Sequence, residues 1–501
     1  MEDTMIYERK EKLMLLLAAV LGFLFFDFFS GGFGVSVPLY LLIFYAVILW
    51  FFTGRTEGIN KKAFLLTIPI FLLAATFLLY DNYVLMFFNI IILAVLIIIQ
   101  LGALTGNLVN PFVSIGTLLD FLGISVIMPV TNLKSSIEII NGEGKKSSKN
   151  RKAAGIFLGI VISVPVLAVV IALLMSADNN FEVLIDKIGR IFTDRVAEYF
   201  FKIIFGIIAA FPLFAMLFAL RRNRTQNFCK IKEGASEVLR IADSTIANTV
   251  LIILSIVYLV FIGLQFPYLF GALSNHLPQN FTYAEYARRG FFEMEAVSII
   301  NFGILTVFSF LTKKRKGSLP FSTKILSLIV SVITIILLCA ALAKMALYVN
   351  IYGLTLLRIY TTFTMAATIL VFIAFIAKLY YEKFRAITFS VVTVLFLYIL
   401  LNYINVDRLI PYYNINRYLD GKDKTVTVEM YSDLSDSMMP EITRLFDDKD
   451  VQLSEKAKYI FAQRGKVIER RKSWQSFNLS SYVAEKLVKE KNITVLPYRD
   501  N

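Results

Sequence analysis

Between Thr282 and Val297 the run TYAEYARRGFFEMEAV brings Glu285, Arg288, Arg289, Glu293 and Glu295 into one short stretch. Carboxylates and guanidinium groups this close can do two things. They can pair with one another, or a carboxylate stripped of water can act as a base while an arginine holds a phosphate. Spacing discriminates among the five. Glu285 and Arg289, Arg289 and Glu293, and Glu285 and Arg288 stand three or four positions apart, so each pair can meet on one helix. Glu295 lies about 200° around the helix from Glu293 and has no cation three or four residues away. It is the residue of the run without a local partner.

A helix must present these groups, and its start is legible. Pro278 ends the preceding chain, and Thr282 with Glu285 three residues later has capping-box spacing. Beyond the charges the run passes straight into an apolar stretch ending at Leu311, so the spacing predicts a helix that begins in water and enters a bilayer. Three further charged residues are expected at the same membrane face: Asp27 near the end of the first apolar run, Lys344, and Arg358. Together, Asp27, Glu285, Arg288, Arg289, Glu293, Glu295, Lys344 and Arg358 form the candidate outer-leaflet cluster. Intramembrane charges mark pathways and sites often enough to single them out. Charge pairing that merely closes the helix bundle accounts for them equally well.

Composition sets the solvent. The 501 residues are 57% hydrophobic and 18% charged, and a mean hydropathy of +0.69 is too apolar for a soluble chain of this length. The reading is all-α: a polytopic membrane helical bundle of about eleven transmembrane helices. Its parts are a cytoplasmic N-terminal tail at 1–12, a four-span region at 13–101, and an interfacial or re-entrant segment with a basic loop at 102–153. A seven-span core at 154–401 and a polar, mainly helical extracytoplasmic tail at 402–501 complete it. Within 112–130, Gly116, Asp120, Gly123 and Pro129 interrupt the apolar run, and a crossing there would reverse the sides of every later basic loop. Ala154–Met175 reads as the fifth span, and 182–198 as an amphipathic surface helix.

The formal charge of +14 is confined to short clusters between spans, as bilayer orientation requires, so no nucleic-acid partner is expected. Only Cys229 and Cys339 are present and His276 is the single histidine, which argues against a disulfide framework and histidine-based metal sites. GKKSSKNRK lacks phosphate-loop spacing, and Asp448-Lys449-Asp450 resembles a DxD triplet only in composition. No cofactor is expected.

YAEYARRGFFE, Tyr283 to Glu293, resembles the signature of a bacterial family of multi-pass membrane proteins of unknown function. QFPYLFG (265–271), YGLTLLR (352–358) and NVDRLIPYYNINRYL (405–419) are similar to further stretches of that family, and SADNNF (176–181) and SWQSFNLSSY (473–482) are weaker echoes. The likeness covers roughly residues 150 to 490, with Pro411 and Tyr412 departing from the pattern. The resemblance implies membrane location and a polar tail, and it implies no reaction. Residue content favours a non-enzymatic envelope sensor, regulator or scaffold in the cell membrane, with the bilayer and an envelope protein or lipid as partners. A transporter or channel, and an enzyme acting on a lipid or lipid-linked substrate, are the alternatives.

Overall fold

The computed structural model describes residues 8–55, 58–110, 116–141, 173–191, 195–222, 243–273, 291–313, 318–470 and 473–491, with isolated positions between them. The first helices are α1 (Arg9–Ser30), α2 (Ser36–Phe52), α3 (Thr67–Leu79), α4 (Tyr83–Leu104), α5 (Gly116–Leu122) and α6 (Met128–Asn141). They are followed by α7 (Asn179–Ile191), α8 (Arg195–Arg221), α9 (Ser244–Leu273), α10 (Phe291–Leu311), α11 (Phe321–Tyr352), α12 (Leu356–Tyr380) and α13 (Ala386–Tyr403). The tail holds α14 (Val406–Leu419), α15 (Val451–Arg470) and α16 (Leu479–Lys491), joined by short turns. Among the described residues ten helices are long and apolar enough to cross a membrane, and α2 is a shorter apolar helix. The chain is a polytopic helical bundle.

The helices start and stop where their end residues dictate. Glu8 and Glu11 form a reciprocal capping box at α1. The side chains of Asn82 and Thr355 accept the first free N–H groups of α4 and α12. Gly116–Ile139 is one uninterrupted helical run, long and apolar enough to cross. Its glycines do not break it, because a π-helical turn at Gly123–Ile127 absorbs the irregularity. Of the expected span at Ala154–Met175 only 156, 159, 163, 167, 170, 171 and 173–175 are described, and these positions are helical. Asn179–Ile191 takes up much of the expected amphipathic stretch, and Pro411 sits inside α14 without ending it.

Two packing groups build the bundle. In the first, α1 and α8 run antiparallel: Glu11, fully buried, takes both a 2.7 Å and a 2.8 Å bond from Arg222 at one end, and Asp27 meets Lys202 at the other. Small residues let them close. A Cβ on Gly22 would lie 2.3 Å from the Gly206 carbonyl oxygen, so the backbones touch, as membrane helices do where side chains are absent. In the second group Leu251, Leu305, Val330 and Phe372 of α9 to α12 share one core. Helix α13 connects the groups, its Tyr403 hydroxyl donating to the Leu72 carbonyl at 2.9 Å.

Past α13 the chain makes a two-residue joint and becomes the tail. Asn405 adopts a left-handed conformation (φ 52°), tolerable because its side chain accepts the Arg408 N–H. The tail has its own core, in which Tyr431, Met438, Met439, Ile442 and Phe461 are buried, each large side chain contributing about 1.5–3 kcal/mol. Leu354 from the α11–α12 turn and Leu356 and Ile359 from the first turn of α12 pack against that core.

Candidate functional site at the junction of tail and bundle

Three carboxylates from three parts of the chain meet beneath the tail. Asp81 comes from the turn between α3 and α4, Asp407 from the first turn of α14, and Asp436 from the tail, and they are 3%, 2% and 0% exposed. Asp436 accepts a 2.5 Å bond from Arg464 Nε of α15 and a 2.6 Å bond from Ser481 of α16. Asp81 accepts the Asp436 backbone N–H at 3.2 Å, and its carboxylate stands 3.7 Å from Arg464 Nη2. Asp407 accepts the Asn82 side-chain amide at 2.9 Å and the Ser435 N–H at 3.2 Å. Asn82 therefore works twice, capping α4 through its oxygen and holding Asp407 through its nitrogen.

Enclosure decides the electrostatics. Burial, reinforced by the neighbouring Asp436 carboxylate, pushes Asp81 up to about 6, although the Asp436 N–H and Arg464 pull the other way. Asp407 is also raised by burial, against the bonds from Ser435 and Asn82. Among the described residues Arg464 is the cation that reaches Asp81 and Asp436, and burial favours the protonated form of Asp81 and Asp407. A pocket of about 10 Å³ beside it, lined by Thr76, Tyr80, Asn82, Asn89, Asn402 and Asn405, has room for about one water.

Other polar contacts fasten the same end of the bundle. Asn414 of α14 accepts the Leu354 N–H at 2.7 Å and donates to the Leu354 carbonyl at 3.0 Å, gripping the α11–α12 turn. Gly353 there has φ 75°, and a Cβ would lie 2.4 Å from the Asn414 oxygen, so the grip needs glycine. Asn89 donates to Asn402 and Thr76 and accepts from the Tyr398 hydroxyl, uniting α3, α4 and α13 one step deeper. Buried amides in a bundle hold helices together in this way.

The structure distributes the cluster expected from sequence. Asp27 bonds Lys202 at 2.9 Å, and Lys202 also meets Glu198 at 2.6 Å. Glu293 is exposed. Glu295 accepts a 2.8 Å bond from Thr368 of α12, a partner distant in sequence that no local spacing reveals. Lys344 is partly buried on α11. Arg358 donates to the Tyr352 and Gly353 carbonyls and lies over the Tyr348 ring, closing the end of α11. Glu285, Arg288 and Arg289 lie outside the described residues. Asp27 thus belongs to the α1–α8 pair, whereas Glu295, Lys344 and Arg358 belong to the α10–α12 group. Asp448 and Asp450 are turn and cap residues, Asp450 accepting the Gln452 N–H at 3.0 Å.

The junction itself went unmarked in the charge pattern. Asp81 and Asn82 read only as a break between apolar runs, and nothing local distinguishes Asp436 or Arg464. Asn405 and Asp407 did carry a signal, as the Asn-x-Asp of the 405–419 stretch. No curated protein and no solved structure matches the chain. The family model described as a domain of unknown function, DUF4153, matches residues 67–445, from α3 across the bundle to the middle of the tail, and the chain belongs to that family.

Proposed function

We propose that this protein is a non-enzymatic envelope sensor, regulator or scaffold of the cell membrane, with a cytoplasmic N-terminus and an extracytoplasmic tail that binds a partner. The observation that carries this reading is the buried latch of Asp81, Asp407, Asp436 and Arg464. It ties a tail with its own core to the α3–α4 turn, and with the Asn414 grip on the α11–α12 turn and the covalent joint to α13 it lets a partner that shifts the tail pull on α4, α12 and α13. The positive clusters between spans support the orientation. In cells, a Ser432→Cys label in a background with Cys229 and Cys339 replaced is expected to react with an impermeant maleimide from outside. Deleting 402–501 is expected to abolish complementation of a null strain's envelope phenotype. Labelling from the cytoplasmic side alone, or full complementation by the truncated chain, overturns the reading.

A transporter or channel is the second reading. It rests on Glu295, a carboxylate within the α10 span whose Oε2 is buried without a hydrogen bond among the described residues. Replacing Glu295 by Gln is expected to abolish flux in proteoliposomes under that reading. Unchanged complementation by the same variant removes it.

A further inference from the structure

The tail carries an apolar face that the bundle does not cover. Trp474, Phe477, Leu479, Tyr482 and Val483 are each between 43% and 54% exposed, within one short segment. Leu479, Tyr482 and Val483 stand at i, i+3 and i+4, so the first turn of α16 shows them side by side. One turn further the same face shows Lys486, and Lys489 is also exposed. The helix is apolar at its base and charged as it proceeds.

Four contacts place the base. The Phe477 carbonyl accepts the Val35 N–H at 2.8 Å, in the turn between α1 and α2. Ser480 donates to the carbonyl of Leu79, the last residue of α3, at 2.9 Å. Gln475 donates to the Asp27 carbonyl at 3.2 Å. The Trp474 ring meets Phe28 edge to face at 5.1 Å, next to Phe25, which is itself 45% exposed on the outside of α1. The exposed aromatics of the tail are therefore continuous with the lipid-facing flank of a span, at the height where three spans end. Tryptophan and tyrosine concentrate at that height because their rings have an apolar body and a polar edge. A cleft of about 930 Å³ opens alongside, lined by Trp474, Phe477 and Tyr482 together with Lys466, Glu469 and Glu485.

We propose that Trp474–Val483 is a lipid seat: the tail rests this face in the headgroup layer of the bilayer, beside the end of α1. The bilayer is the occupant because the patch continues a surface that already faces lipid, and because its charges begin only a turn above its base.

The test uses the full chain. Trp50 and Trp474 are the two tryptophans, so Trp50→Phe leaves one reporter. In phosphatidylcholine nanodiscs, quenchers near the glycerol level are expected to reduce Trp474 emission at least about twofold more than quenchers at the chain ends. Emission untouched by either lipid and quenched by aqueous iodide overturns the seat. A second measurement is independent of tryptophan. Nitroxides at Val483→Cys and Lys489→Cys, with Cys229 and Cys339 replaced, are expected to be reached preferentially by oxygen at 483 and by a water-soluble nickel chelate at 489. Chelate access at both positions, or spin–spin broadening at 483 from a second copy, overturns it.

Discussion

At two sites one cation of the described residues meets two carboxylates, and the two settings differ. At the α1–α8 pair, Lys202 bonds Asp27 and Glu198, with the two carboxylates 24% and 49% exposed. A cleft of about 470 Å³, walled by phenylalanines, opens beside them. Beneath the tail, Arg464 faces acids whose side chains are 4% and 0% exposed. The open site can borrow compensation from water or headgroups. The enclosed one must find it in protein, and it does so with backbone N–H groups, Asn82, Ser481 and a raised carboxylate. Enclosure, more than charge count, makes one site a weak fastening and the other a latch.

Replacing Arg464 with Met should give the largest effect. It strips the cation from buried Asp436 and Asp81, and removing one partner of an enclosed pair costs about 3–5 kcal/mol. The measurement is protease cleavage of the tail in the intact chain, expected to become much faster, with Asp436→Asn in the same background restoring part of the protection. Unchanged cleavage would place the latch's strength elsewhere.

Acidity sharpens the contrast next. Asp81 is raised from 3.8 to about 6, so the docked state favours the protonated acid. The gain is complete below the unfolded value and is lost as pH rises through about 6. Two pKa units correspond to about 3 kcal/mol over the whole range, of which about 1.4 kcal/mol falls between pH 5 and pH 7.5, so the tail should be held more tightly at the lower pH. Asp423 and Glu429 are lowered by Arg417 and Lys456 and act oppositely, their stabilisation fading below about 4. Tail protection measured across pH should therefore peak in the mildly acidic range, and Asp81→Asn should flatten its fall toward neutrality.

Backbone contact, in place of charge, should dominate the α1–α8 pair. Gly22→Ala inserts a Cβ against the Gly206 carbonyl and forces the helices apart, at about 1–3 kcal/mol. Thermal unfolding in detergent reads the loss. Lys202→Met should cost the same pair less, under about 1 kcal/mol, because its partners stay partly solvated. A larger loss for Lys202→Met than for Gly22→Ala would reverse the comparison.

Hydropathy alone located most of the spans, since apolar runs of bilayer length declare themselves without knowledge of their neighbours. The helix start read from the sequence, the Thr282–Glu285 capping box, lies outside the described residues, and no cap was marked at Asn82, whose oxygen caps α4 while the same side chain reaches Asp407. Glu295 was singled out without its partner, and Asp81, Asp436 and Arg464 were not singled out at all. Thr368 lies 73 residues from Glu295, and Asp436 lies 355 from Asp81. No periodicity encodes such pairings, which arise from how helices assemble. The continuous helix at Gly116–Ile139 shows the same limit. Gly123 and Pro129 carry breaking propensities, and packing against α8 holds the helix through a π-turn instead.

The joint at Ile404–Asn405 also governs how a released tail behaves. Two residues span at most about 7 Å, so a tail freed from Arg464 stays within reach of its seat. Redocking is then unimolecular, at an effective local concentration that dilution of the protein does not change. The junction should open and close as a fast internal equilibrium set by proton activity and by whatever grips the tail, with a midpoint independent of how much protein the membrane contains.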